Sequence, residues 1–95
     1  MKSVDIEVVV NDFEVIVLTA PWVYGTTKYL EILQKKLNLV CIEVNIDTDP
    51  ILADKYDVVV LPTIVILKKG EEFSRFNGFV PFDLVSRSLN LAKGC

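Results

Sequence analysis

Val4, Ile6, Val8 and Val10 alternate with Asp5, Glu7 and Val9, a period-two pattern that predicts a strand with one wet face. Asn11-Asp12 follow, residue types that tolerate positive φ. Phe13 to Thr19 then reads as a second strand, apolar on both faces from Val15 to Leu18. A parallel crossover needs about a dozen residues, and two cannot supply it. The two strands therefore form a hairpin, or one long strand kinked at Asn11-Asp12.

Ala20-Pro21-Trp22-Val23-Tyr24-Gly25 is a turn region, and Thr26 or Thr27 is placed to cap the helix that follows. Leu30, Leu33 and Leu37 form its apolar stripe, Lys28, Glu31, Lys35 and Lys36 its wet face, and Asn38 its stop. Val40 to Ile46 is a third strand. Asp49, as cap, and Pro50, at the first helical position, open a short helix carrying Leu52, Ala53 and Tyr56. Thr63 to Leu67 is an apolar strand, Lys68-Lys69-Gly70-Glu71 a hairpin turn, and Glu72 to Phe76 an edge strand. Pro81 starts a last helix with Phe82, Val85, Leu89 and Ala92 inward. Asp83 suits its first turn and Lys93 its last. The order β-β-α-β-α-β-β-α implies an α/β domain, a mixed central sheet with helices on both faces.

Composition narrows the functional classes. Ninety-five residues make a single domain over 1–95, and 52% apolar content excludes a disordered chain. The net charge of −3 comes from 13 acids and 10 scattered bases, so no basic track meets a phosphate backbone and no nucleic-acid partner is expected. No apolar run approaches the roughly 20 residues of a membrane span, so no membrane partner is expected either. Asp5 and Glu7 break any signal-peptide core, so the expected setting is cytoplasmic. The two cysteines are far apart: Cys41 in an apolar run, where it reads as a small hydrophobe, and Cys95 at the end. With no histidine beside them, neither a metal site nor another cofactor is expected. The oligomeric state is open.

The stretch Asn45 to Gly78 resembles the second half of a thioredoxin, without a gap. Asn45-Ile46-Asp47 followed by Asp49-Pro50, then Ala53-x-Lys55-Tyr56-x-Val58, is similar to the strand end and short helix of that family. Leu61-Pro62-Thr63 resembles its cis-proline signature, Lys68-x-Gly70-Glu71 its last hairpin, and Gly78 the glycine before its last helix. Ala20-Pro21-Trp22 resembles the Ala-x-Trp that precedes the family's Cys-x-x-Cys. The resemblance implies a thioredoxin-like fold, here with the first family helix missing, and a cis Leu61–Pro62 bond.

The same resemblance exposes what has gone. Trp22 to Lys28 contains no cysteine. Without a gap, Val23 and Thr26 take the two cysteine positions; with one inserted residue, Tyr24 and Thr27 do. Val17 stands where many thioredoxins bury a proton-shuttling Asp, and Glu43 where that Asp often has a Lys neighbour. A cysteine at a helix N-terminus works because the dipole and free N–H groups stabilise its thiolate. A valine offers no nucleophile, and Thr or Tyr hydroxyls need a base. No carboxylate lies close in sequence to Thr26. Helix capping for the threonines and surface packing for the tyrosine are the simpler readings, and no dithiol oxidoreductase activity is expected.

The resemblance further implies that the cis bond presents the backbone of Leu61 to an extended peptide, which pairs as a strand would. Pro62 equally serves the fold's own geometry. Trp22, Tyr24, Thr26, Thr27, Leu61, Pro62 and Phe79 are the candidate contacts of a redox-inactive module that binds a protein or peptide. The alternative is a divergent thioredoxin- or glutaredoxin-type oxidoreductase or thiol-transfer enzyme, using a hydroxyl or a bound thiol. An engineered relative with replaced cysteines is a third reading. The parallel loss of the Asp and the first helix argues against it.

Overall fold

A computed structural model describes residues 13–94. The strand expected over Val4–Val10 and the terminal Cys95 lie outside the described residues. Among the described residues four strands form one sheet: β1 (Phe13–Thr19), β2 (Cys41–Asn45), β3 (Thr63–Lys68) and β4 (Glu71–Asn77), in the spatial order β2-β1-β3-β4. β1 runs parallel to β2 and antiparallel to β3, and β3 runs antiparallel to β4, so the sheet is mixed. Among the described residues three helices flank it: α1 (Thr26–Leu37), α2 (Pro50–Lys55) and α3 (Phe82–Gly94). The parallel pair is joined through α1, the crossover such a pair requires.

The central strands are apolar on both sides because both sides are covered. Val15, Val17, Ile64 and Ile66 meet Tyr29, Leu30, Leu33 and Leu37 of α1 and Val85 and Leu89 of α3. On the opposite face, Ile16, Leu18, Val65 and Leu67 meet Tyr56, with Leu52 and Val58 packed alongside. Each fully buried leucine or isoleucine is worth about 1.5–3 kcal/mol of transfer free energy, and the two clusters together clamp the sheet. β4, at an edge, is correspondingly polar, with Glu71 and Glu72 exposed.

Chain reversals follow local chemistry. Lys69 and Gly70 both have positive φ, 53° and 84°, between β3 and β4. That is the two-residue hairpin geometry whose twist matches the flanking strands, and Gly70 supplies it without a Cβ penalty. Asn38 closes α1 in the left-handed region, its N–H bonded to the carbonyl of Gln34.

The N-terminus of α1 corrects one expectation. Neither Thr26 nor Thr27 caps it; the cap position is Gly25, at φ 89°, with no side-chain cap bond. Thr26 is already the first helical residue, 3% exposed, and its hydroxyl lies 3.0 Å from that of Thr19. The hydroxyl is satisfied inside the core instead of on the helix's free N–H groups. Asp49 does precede Pro50 at the start of α2, but it too makes no side-chain cap bond.

Candidate functional site

The strand register gathers three loops at one end of the sheet. Leu18 of β1 pairs with Thr63 of β3, and Thr63 with Asn77 of β4. The turn after β1, the segment before β3 and the turn after β4 must therefore lie side by side. Hydrogen bonds knit them together. The N–H of Gly78 donates to the carbonyl of Pro62 at 2.7 Å, and the hydroxyl of Thr63 donates to the carbonyl of Val60. Tyr29 reaches up from α1 and donates its hydroxyl to the carbonyl of Val80 at 2.7 Å. Its ring meets Phe79 edge-on, centroids 5.4 Å apart, and stacks on Phe82 at 4.8 Å. Phe79 in turn leans over Gly25: a Cβ there would sit 3.9 Å from its Cζ.

The candidate contacts divide by burial. Trp22, Tyr24 and Phe79 are 59%, 89% and 48% exposed, large apolar surfaces facing water. Thr27 is exposed and Leu61 half-buried. Pro62 and Thr26 are buried, so neither offers its side chain to a partner. The Leu61–Pro62 peptide is cis. Among the described residues, no hydrogen bond engages the backbone N–H or carbonyl of Leu61. An N–H and a C=O without partners among the described residues, next to exposed apolar side chains, make the local chemistry of an unpaired strand edge.

Reactive chemistry is missing from the same place. Val23 is half-buried, and Thr26 and Thr19 satisfy each other. Val17, fully buried against α1 and α3, pairs in register with Glu43 on one side and Ile64 on the other. Among the described residues no carboxylate is buried in the interior beneath the loop. Cys41 lies in the core, its backbone N–H bonded to Oε1 of Gln34 at 2.9 Å, and burial pushes its thiol up to about 11. It is neither near the loop nor poised as a thiolate.

Two cavities adjoin the turn after β1. One, of about 440 Å³, runs from Ala20 to Lys28 with Glu43 at its side. The other, of about 430 Å³, is lined by Tyr24, Gly25, Lys28, Tyr29, Ile32, Phe79 and Phe82. Sequence reasoning reached Tyr24 and Phe79 and missed Lys28, Tyr29, Ile32 and Phe82. Periodicity puts Lys28 on a wet face and Phe82 on an inner one and leaves Tyr29 and Ile32 unassigned, and only the fold brings the four into one wall.

The comparisons agree with this architecture. The thioredoxin family model matches residues 7–90. A thioredoxin of Chlamydia caviae is 37% identical over 65 residues, 67% of this chain and 64% of that protein, so the match spans less than two thirds of that relative. Thioredoxin-2 of a malaria parasite superimposes with a TM-score of 0.72 at 26% identity, over 83% of this chain and 82% of that one. The thioredoxin of Fasciola hepatica does so with a TM-score of 0.70 at 26% identity, over 93% and 92%.

Proposed function

This chain belongs to the thioredoxin family, and on that premise we propose that it is a redox-inactive member that binds a protein or peptide segment at the loop end of its sheet. One observation carries the reading. The turn Trp22–Lys28 holds no thiol, and beside it Leu61 has neither its backbone N–H nor its carbonyl bonded to a partner among the described residues. The electron-transfer function of a dithiol needs a nucleophile, a resolving thiol and a proton acceptor. Positions Val23, Thr26 and Val17 supply none of them, and Tyr24 and Thr27 carry hydroxyls with no histidine in the chain to activate them.

A binding role uses what is left. An extended peptide laid along Leu61 would exchange main-chain hydrogen bonds with it, as in strand addition, while Trp22, Tyr24 and Phe79 would cover its side chains. Large exposed apolar residues clustered at one end of a small domain mark interaction surfaces. Thioredoxin-2 of the malaria parasite is described as a component of a protein secretion machinery, an instance of this fold serving within an assembly.

The test is disulfide reduction with an external reductant, using the Cys95→Ser protein so that the terminal thiol contributes nothing. The expected rate equals the protein-free blank. Turnover above the blank would overturn the redox-inactive reading in favour of a thiol-transfer enzyme.

A further inference from the structure

We propose that the groove between the first turns of α1 and α3 is a second pocket of the peptide site, taking an aromatic side chain that is followed in the peptide by a carboxylate. The inference rests on the binding reading above and specifies the partner's chemistry.

The floor of the groove is fixed before any ligand arrives. Tyr29 is 8% exposed, its hydroxyl is held by the carbonyl of Val80, and its ring is braced by Phe79 and Phe82. Because that hydroxyl is already bonded, the floor offers an occupant ring edges and faces and asks for no hydrogen bond. An aromatic ring entering there finds offset and edge-to-face geometries with rings that pay little ordering entropy.

Phe79 and Gly78, neighbours in the chain, link the groove to the Leu61–Pro62 segment. Phe79 forms the groove's wall and approaches Gly25, while the adjacent Gly78 is hydrogen-bonded to Pro62. A peptide paired along Leu61 therefore passes Phe79 to enter the groove.

Charge sets the occupant's neighbour. Among the described residues Lys28 is the one charged residue lining the groove, and Lys36 lies on the same helix with its Nζ 5.9 Å from the centroid of Phe82. The protein as a whole carries −3, so this rim is a local exception. An exposed lysine contributes little affinity but fixes orientation and discriminates against a cationic neighbour.

Three blocked decapeptides test the proposal. They share a valine-rich half and differ in a central Phe-Glu, Phe-Lys or Ala-Glu pair. Each is titrated into the isotopically labelled full chain, wild type and Lys28→Glu, with backbone amide shifts as the readout. The Phe-Glu peptide is expected to move Leu61 and Gly78 together with Ile32 and Phe82. The Ala-Glu peptide should bind roughly tenfold more weakly, the loss of one buried ring. The Lys28→Glu chain, altered at an exposed position, should reverse the preference to Phe-Lys by about two- to fivefold. If all three peptides bind equally, move Leu61 and leave Ile32 and Phe82 in place, the groove is overturned and the Leu61 reading stands. An unreversed preference in Lys28→Glu overturns the carboxylate assignment. Shifts confined to Ile32 and Phe82 sustain the groove and overturn the reading at Leu61. Shifts at neither place overturn both.

Discussion

The two central strands and the turn that follows the first of them use the same kinds of residue for opposite ends. The middles of β1 and β3, Val15 to Leu18 and Ile64 to Leu67, are all branched aliphatics, and all are buried. Trp22 and Tyr24, only a few residues further on, are larger and mostly in water. In the strands, apolar surface is consumed by folding. In the turn it is left over, on a frame that Gly25, Thr26 and the Gly78–Pro62 bond hold in place. Under the proposed binding role the strand residues answer to stability and the turn residues to a partner, and substitutions in the two regions should separate those quantities.

The sharpest contrast comes from the core. Leu33, fully buried where α1 meets the sheet and α3, should cost about 2–5 kcal/mol when changed to alanine, through lost transfer free energy and the cavity left behind. Chemical denaturation measures it. A loss below about 1 kcal/mol would mean the site collapses readily and would blur the division between strands and turn.

The next effect lies on the border between the regions. Thr26→Val or Thr19→Val alone leaves the other hydroxyl buried without its partner, and each should lose about 1–3 kcal/mol. The double variant should recover much of it, because two apolar groups of similar shape replace both members of the pair. A double-mutant cycle by denaturation reads the coupling. Strict additivity would show that the hydroxyls do not depend on each other and that the turn is anchored by Gly25 and packing alone.

This pair also marks where the sequence stopped being legible. Strand and helix identity follows from periodicity and is local, and the sheet and its helices come out with boundaries shifted by a residue, as at Cys41 and Phe82. Thr26 looked like a cap because threonine before an apolar stripe usually is one. Its partner, Thr19, is reached only through the fold, and Gly25 takes the cap by adopting a positive φ that periodicity does not encode. At the site, Trp22, Tyr24 and Phe79 could be named from residue type and family resemblance. Phe82 could not, since a ring on a helical stripe reads as core whether or not its edge also lines a groove, and Tyr29 stands outside the Leu30, Leu33 and Leu37 stripe.

A smaller, pH-dependent effect comes from Cys41. Burial holds its thiol neutral and raises it from an ordinary 9.0 to about 11. A group kept in its protonated form by the fold contributes stability that is complete below the unfolded value and is lost as pH rises through the folded one. Wild type should therefore lose more stability than Cys41→Ala between pH 9.0 and about 11. At neutral pH the thiol should resist alkylation until denaturant is added, measured on the Cys95→Ser protein. Rapid alkylation in the native state would place a reactive thiol where the core is expected to be closed.

The smallest stability effect is predicted where the functional effect is greatest. Trp22 is 59% exposed, so folding alone gains only part of its burial, and surface changes commonly stay within about 0.5 kcal/mol. Trp22→Ala should therefore lower stability by less than about 1 kcal/mol, far short of the roughly 3–5 kcal/mol of a buried aromatic truncation. If the ring completes its burial against a bound peptide, the same change should weaken binding of the Phe-Glu decapeptide severalfold, as loss of an interface aromatic does. Thermal melting and peptide titration on the same sample give the two numbers. A large drop in melting temperature would move Trp22 into the fold's own core and leave the turn answerable to stability, like the strands. Unchanged melting with unchanged binding would keep the ring outside the core and outside the site, and the partner surface would then rest on Tyr24, Leu61 and Phe79 alone.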